Sequence, residues 1–280
     1  MRHLDSEYSV QGINFSFLKP ILTIIVDVAK EMDFNFMVIG ATARDFLIKS
    51  VFQTDLVLRA TLDLDFAIIL DDWKKYDQIL EELIKKHGFV KAKAKQRLHY
   101  NSIPVDIIPF GEISEGESIF WPPDKSIKMS VTGFQEVFDS AVHIKFDDLN
   151  FRILSLEGLF ITKLIAWSDR KLIKKTDAED IGSILYNYHD FYPDELFEDY
   201  NYLIDSEGYN YLLAGVSIFS IRLKIFLKQY PDLLLEILAI LQGEIKDEEN
   251  SELAIELNKT ESYEINLQAL KIIEEELSKS

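Results

Sequence analysis

Three carboxylates stand in apolar company. In "TLDLDFAII" (residues 61–69) Asp63 and Asp65 interrupt a hydrophobic run, and in "IPVDIIPF" (103–110) Asp106 does the same. Residues two apart on a strand share a face, so Asp63 and Asp65 point one way while Leu62, Leu64 and Phe66 point the other. Carboxylates this close repel, and one takes up a proton unless a cation compensates. Mg²⁺ is a hard cation that takes oxygen ligands, commonly one or two carboxylates together with substrate phosphates. If the Asp106 strand neighbours the Asp63–Asp65 strand, three carboxylates meet at one point. Such a cluster can hold two metal ions and clamp an in-line phosphoryl displacement. A D-x-D pair also describes a solvated outer strand face. Asp106 in a hydrophobic strand weighs against that reading, because uncompensated charge is rarely buried.

Phosphate chemistry needs an anion cradle as well. "VIGATARDFLI" puts Gly40 at a strand-to-helix turn. Glycine lets a backbone approach closely, and the first-turn N–H groups of Ala41, Thr42 and Ala43 can face an anion. Thr42 adds a hydroxyl. A single glycine marks an ordinary turn just as well; the order strand, glycine, helix, D-x-D strand is what favours the cradle.

Lys163 and Arg170 lie two helical turns apart and share a face. They either cross to the carboxylates and neutralise a triphosphate, or lay their stems along the core as a surface pair. Asp177 and Asp180, one turn apart, either complement a helix dipole or orient Lys163 or Arg170. Arg59 serves phosphate or pairs with a carboxylate. Lys91, Lys93, Lys95 and Arg97 read as a basic hairpin that guides a nucleic-acid acceptor or as a lysine-blunted sheet edge, the latter favoured. Trp121 packs a loop or stacks on a base, with packing favoured. The five histidines show no metal-ligand spacing.

The elements that must position these residues can be read along the chain. A helix with Pro20 in its first turn covers 20–33, a buried strand 34–40, a helix 41–52 and the D-x-D strand 61–69. Residues 71–88 form an amphipathic helix capped by Asp71 or Asp72 and ended by Gly88. "FVKAKA" and "QRLHY" are short strands, and 103–110 is an edge or strand-end segment with prolines near both ends. Helices follow at 155–171, capped by Ser155, and at 176–188, opened by a Thr176–Glu179 capping box. The pattern predicts an α/β (α+β) front half, residues 1–150, and a helical back half, 151–280.

Composition bounds the rest. Of 280 residues, 48% are hydrophobic, enough for a packed core. No cysteine is present, which excludes disulfides, thiolate metal sites and a cysteine nucleophile. No signal-peptide core or membrane-length apolar run appears, so a cytoplasmic protein is expected. The net charge of −18 argues against whole-surface affinity for nucleic acid, but it is uneven. Residues 231–280 hold 13 acidic and 4 basic residues, half of the excess.

The order hG-[GSA]-T … R-x-[ST]-x-D-h-D-h … h-D-h resembles the DNA polymerase beta-type nucleotidyltransferase superfamily. More narrowly, "VIGATARDFL", "RATLDLDF", "KLIAWSDR" and "DAEDIGSIL" together look like the AbiEii/AbiGii abortive-infection toxin nucleotidyltransferases, over roughly residues 20–190. "GATARDFLI" is also similar to the GG-x-V-R-D-x-L motif of tRNA CCA-adding enzymes and poly(A) polymerases, from which the long gap between Gly40 and Asp63 departs. The resemblance implies a nucleotidyltransferase-fold mixed sheet with flanking helices, plus a helical domain that completes the nucleotide site. It implies that Gly40, Ala41 and Thr42 contact a nucleoside triphosphate and that Asp63 and Asp65 bind Mg²⁺. Asp106 would complete a two-ion site and draw the proton from the acceptor hydroxyl. Lys163 would grip phosphate, and Asp177 and Asp180 match a D-x-x-D motif. Ala41 departs from the usual glycine or serine, which removes a hydroxyl but leaves an N–H.

The activity implied is transfer of a nucleoside monophosphate to an acceptor hydroxyl: tRNA, a protein side chain, or a small molecule as in aminoglycoside-type enzymes. A toxin–antitoxin setting with a neutralising partner is implied too. Two other classes stay open: a nucleotide-binding regulatory module without turnover, and a scaffold built on the acidic C-terminal helices.

Overall fold

Proline and an apolar stripe shape the first helix. In α1 (Lys19–Met32) Pro20 occupies the first turn, where its missing N–H costs nothing, and Ile21, Leu22, Ile25, Val26, Val28 and Ala29 are buried. The structure, a computed structural model, describes residues 7–10 (backbone alone), 18–48, 63–171, 176–191, 200, 210–257 and 261–279. The chain divides into two compact units, residues 2–158 and 159–280.

The first unit is built on a mixed sheet. Its strands are β1 (Glu7–Val10), β2 (Phe36–Ile39), β3 (Leu64–Ile69), β4 (Val90–Lys91), β5 (Arg97–Tyr100), β6 (Ile103–Phe110), β9 (Val142–Phe146) and β10 (Leu149–Ile153). They are ordered β1-β9-β10-β2-β3-β6-β5-β4, while β7 (Ser118–Trp121) and β8 (Ile127–Ser130) pair separately. The pairs β1–β9, β10–β2 and β3–β6 are parallel and the others antiparallel. Leu64, Phe66, Val105 and Ile107 are fully buried on the two central strands. Phe66 meets Phe36 edge-on at 5.7 Å.

Helix α2 (Gly40–Phe46) follows β2 without an intervening loop. Helix α3 (Trp73–His87) starts at Asp72, whose carboxylate accepts the Lys75 N–H at 2.8 Å, and stops at Gly88, which takes the left-handed φ of 75° that favours glycine. A short helix α4 (Phe134–Asp139) precedes β9. The proline-flanked segment does not lie at an edge: β6 sits between β3 and β5. Pro104 and Pro109 are each one residue from an end of β6, so the missing donors fall where the ladder is terminating.

Helix α5 (Leu156–Arg170) begins with the expected cap, Ser155 Oγ accepting the Gly158 N–H at 3.0 Å. The second unit continues with α6 (Thr176–Leu185), α7 (Tyr188–Phe191), α8 (Tyr211–Leu227), α9 (Pro231–Ile245), α10 (Glu252–Leu257) and α11 (Tyr263–Ser278). Its interior contains Phe160, Tyr188 and Phe219, with ring centroids 4.9 and 5.2 Å apart about Phe219. The expected capping box at Thr176 does not form: Thr176 already lies inside α6 and its hydroxyl makes no hydrogen bond. In the acidic C-terminal region, Lys171 bridges Glu244 and Glu252 at 3.2 and 2.8 Å, and Lys271 pairs with Glu248 at 2.8 Å. No described helix is long and apolar enough to cross a membrane.

Because Phe66 is wholly buried on the strand that carries Asp65, Phe66→Ala leaves a cavity at the centre of the first unit. A loss of about 3–5 kcal/mol is expected, read as a lower urea midpoint.

Candidate functional site

The parallel pairing of β3 with β6 sets Asp65 directly opposite Asp106. Asp63 immediately precedes β3. On the other side of β6, the antiparallel strand β5 sets Arg97 opposite the same Asp106. Arg97 Nε donates to Asp106 Oδ1 at 2.6 Å, and Nη2 donates to Asp106 Oδ2 at 2.9 Å and to Asp63 Oδ2 at 3.3 Å. This is the two-pronged geometry that a planar guanidinium makes with a carboxylate. Asp106 is only 8% exposed, so its charge needs this partner. The Asp106 hydrogen bond, foremost, pushes the Arg97 guanidinium above its ordinary range.

The glycine turn lies against the same corner. β2 pairs with β3 so that Ile39 faces Asp65, and Gly40 follows with φ of 72°. A Cβ at Gly40 would run into Asp65 Oδ2, so both the conformation and the close approach require glycine here. Thr42 Oγ1 donates to the Asp63 carbonyl oxygen at 2.5 Å. The Thr42 hydroxyl proton therefore fastens the start of the D-x-D strand instead of facing a phosphate. Ala41 and Thr42 are buried in the first turn of α2. One turn further on, Arg44 and Asp45 form a buried pair, Nη2 to Oδ1, at 2.6 Å.

The structure thus gathers Asp63, Asp65, Asp106, Gly40, Ala41 and Thr42 at one end of the central strands; Arg59 lies outside the described residues. No group of three or more acidic or histidine side chains among the described residues is arranged as a metal-holding cluster. Arg97, read from sequence as part of a basic edge, supplies a compensating cation from the next strand. The donor set still suits a divalent metal in kind, since carboxylate oxygens that attract one cation here are the ligands Mg²⁺ takes. The signal that could have marked Arg97 is its place on the strand before Asp106, but antiparallel register is needed to see it.

Lys163, Arg170, Asp177 and Asp180 form a constellation within the second unit. Lys163 Nζ lies 3.1 Å from Asp177 Oδ1 and 2.6 Å from Asp180 Oδ2. Arg170 Nε and Nη2 donate to Asp177 at 2.8 and 3.1 Å. Asp177 and Asp180 are therefore not mere helix-dipole partners; they hold the two cations, whose shared helix face is evident in their common hold on Asp177. Burial alone would raise the Asp177 carboxyl, but Lys163 and Arg170 outweigh it and keep it below its ordinary range.

Packing decides one further reading, that of Trp121, and places the basic hairpin. Trp121 is 2% exposed and packs its ring tilted against Trp73 at 5.2 Å and edge-on to Tyr76 at 5.6 Å, as a core residue. β4 is the sheet's last strand, and Lys91 and Lys93 are exposed along the β4–β5 hairpin.

Residues 32–261 match the family described as nucleotidyl transferase AbiEii toxin, type IV toxin–antitoxin system. No curated protein matches the chain. Among solved structures it is similar to the antibiotic-resistance factor ANT(2'')-Ia at 12% identity and TM-score 0.37, covering 69% of this chain and 97% of that one. It is similar to an antigenic nucleotidyltransferase-like protein from Paracoccidioides brasiliensis at 13% identity and TM-score 0.39, covering 79% and 91%. A tRNA-processing enzyme follows at 12% identity and TM-score 0.34, covering 97% and 76%. These structural likenesses are too distant to carry substrate or mechanism.

Two outcomes follow from the geometry. Asp177→Asn leaves Lys163 and Arg170 short of a buried counter-charge, and should cost about 3 kcal/mol at neutral pH. Because the folded carboxyl is held low, its contribution is full above the ordinary carboxylate range and fades as pH falls through the folded value. The gap between wild type and Asp177→Asn in urea midpoint should accordingly close below about pH 4. Gly40→Ala should displace Asp65 or the turn itself, visible as shifted amide resonances of residues 63–66 in labelled protein.

Proposed function

Since the chain belongs to the AbiEii nucleotidyltransferase toxin family, we propose that it moves a nucleoside monophosphate from an NTP to an acceptor hydroxyl, with Mg²⁺. The observation that carries this reading is the register of β3 with β6, which pairs Asp65 with Asp106 beside Asp63 at the Gly40 turn. Asp63, Asp65 and Asp106 would hold the metal, which when bound supplies polarisation of phosphoryl oxygens. Asp106 would also accept the proton of the acceptor hydroxyl. Backbone N–H groups of the turn at Gly40, Ala41 and Thr42 would face phosphate oxygens, while the Thr42 hydroxyl keeps Asp63 in place. In the second unit Lys163 is the proposed phosphate ligand, its ammonium held by Asp177 and Asp180. Such catalysis rests on positioning and charge and needs no covalent intermediate.

For the acceptor we favour an RNA hydroxyl, tRNA included. The exposed Lys91 and Lys93 flank the strand bearing Arg97, and a local basic surface is what a polyanion needs on an otherwise acidic chain. The family description, a toxin of a type IV toxin–antitoxin system, supports a toxin role with a cognate antitoxin protein, and a cytoplasmic setting is part of the same proposal. A second reading, nucleotide binding without turnover, is favoured by the hold of Arg97 on Asp106 and Asp63, the oxygens a metal would need.

Incubation of the full chain with each labelled NTP, Mg²⁺ and total RNA separates the two. Label in RNA with equimolar pyrophosphate is expected, and Asp65→Asn should lower the rate by about 100-fold or more. Nucleotide bound equally by both proteins, with no pyrophosphate, establishes the non-catalytic module instead.

A further inference from the structure

Arg97 uses both oxygens of Asp106 and reaches one oxygen of Asp63. Both residues are assigned above to the metal, so a divalent ion and this guanidinium compete for the same carboxylate oxygens. The pair is open to solvent: the Arg97 side chain is 32% exposed and that of Asp63 43%. The exposed end faces the solvent from which a cation arrives, while the Asp106 end is shielded, with an 11% exposed side chain. The β5–β6 pairing sets Arg97 opposite Asp106, so the sheet itself brings the guanidinium to that carboxylate.

We propose that Arg97 is a positioning residue that competes with the divalent cation for Asp106 and Asp63, so that metal alone binds weakly until the guanidinium moves off. The inference rests on the metal-binding reading of these carboxylates. Its consequence is an order of events. The guanidinium needs an anion in exchange for the carboxylates it gives up, and a triphosphate is a suitable one, since arginine pairs bidentately with phosphate as with carboxylate. Metal and nucleotide would then bind together more readily than either alone, and the chain would not be charged with metal in the absence of substrate.

The test uses Mn²⁺ alone, with free ion counted by electron paramagnetic resonance, on the full chain without nucleotide. Arg97→Met should bind Mn²⁺ at least tenfold more tightly than wild type, and Asp106→Asn in the same background should abolish the gain. Arg97→Lys keeps the charge but not the two-pronged grip and should give a smaller gain; it serves if the methionine variant does not fold. Equal or weaker Mn²⁺ binding by the folded Arg97 variants overturns the competition and makes Arg97 a brace for β5 and β6. If no variant binds Mn²⁺ at all, the carboxylates are not a metal site, and the proposal falls together with the reading beneath it.

Discussion

Like charges cannot share a partly buried site without a counter-charge, and the first unit is organised by that constraint. β3 and β6 run side by side with Asp65 opposite Asp106, and Asp63 is fixed just before β3 by the Thr42 hydroxyl. The compensating cation arrives from the next strand, where Arg97 is opposite Asp106. The same problem is solved in the second unit by different means. There two acids of α6 face two bases of α5, in a cluster where Asp177 and Asp180 are almost wholly buried. The contrast lies in the carboxylates: Asp177 and Asp180 are shut from solvent, whereas the Asp63 side chain is 43% exposed.

Precision in the first unit comes from regular elements, not from loops. Sheet register sets the spacing of Asp65, Asp106 and Arg97, and the turn at Gly40 is pressed against Asp65 so closely that no side chain fits. The fully buried Leu64, Phe66, Val105 and Ile107 anchor the strands that present the polar residues. A site held in this way keeps its geometry with little to reorganise, which is the condition under which fixed charges are most useful to phosphoryl transfer.

Much of this was legible from local pattern. Period-two spacing separated Asp63 and Asp65 from Leu64 and Phe66, Asp72 and Gly88 bounded α3, and Ser155 opened α5, because each depends on residues a few positions apart. What was not legible is what sheet order decides. Pro104 and Pro109 allowed either an edge or a strand-end position, and sheet order decides for the second: β6 is central, with its prolines where the inner ladder stays intact. Arg97 read as one more basic residue of an edge hairpin, because only the antiparallel register of β5 with β6 reveals its carboxylate partner. Thr176 had the right neighbours for a cap but falls inside its helix, and its hydroxyl goes unused.

The aromatic packing has a practical corollary. The chain has three tryptophans. Trp73 and Trp121 sit 5.2 Å apart in the first unit, whereas Trp167 stands in the second, its indole N–H donating to Glu256 at 3.0 Å and its ring covered by Lys171. Nature has in effect placed a coupled pair of fluorophores in one half and a solitary one in the other. Removing Trp167 alone leaves an emission signal that tracks the melting of the sheet half by itself, without any attached dye.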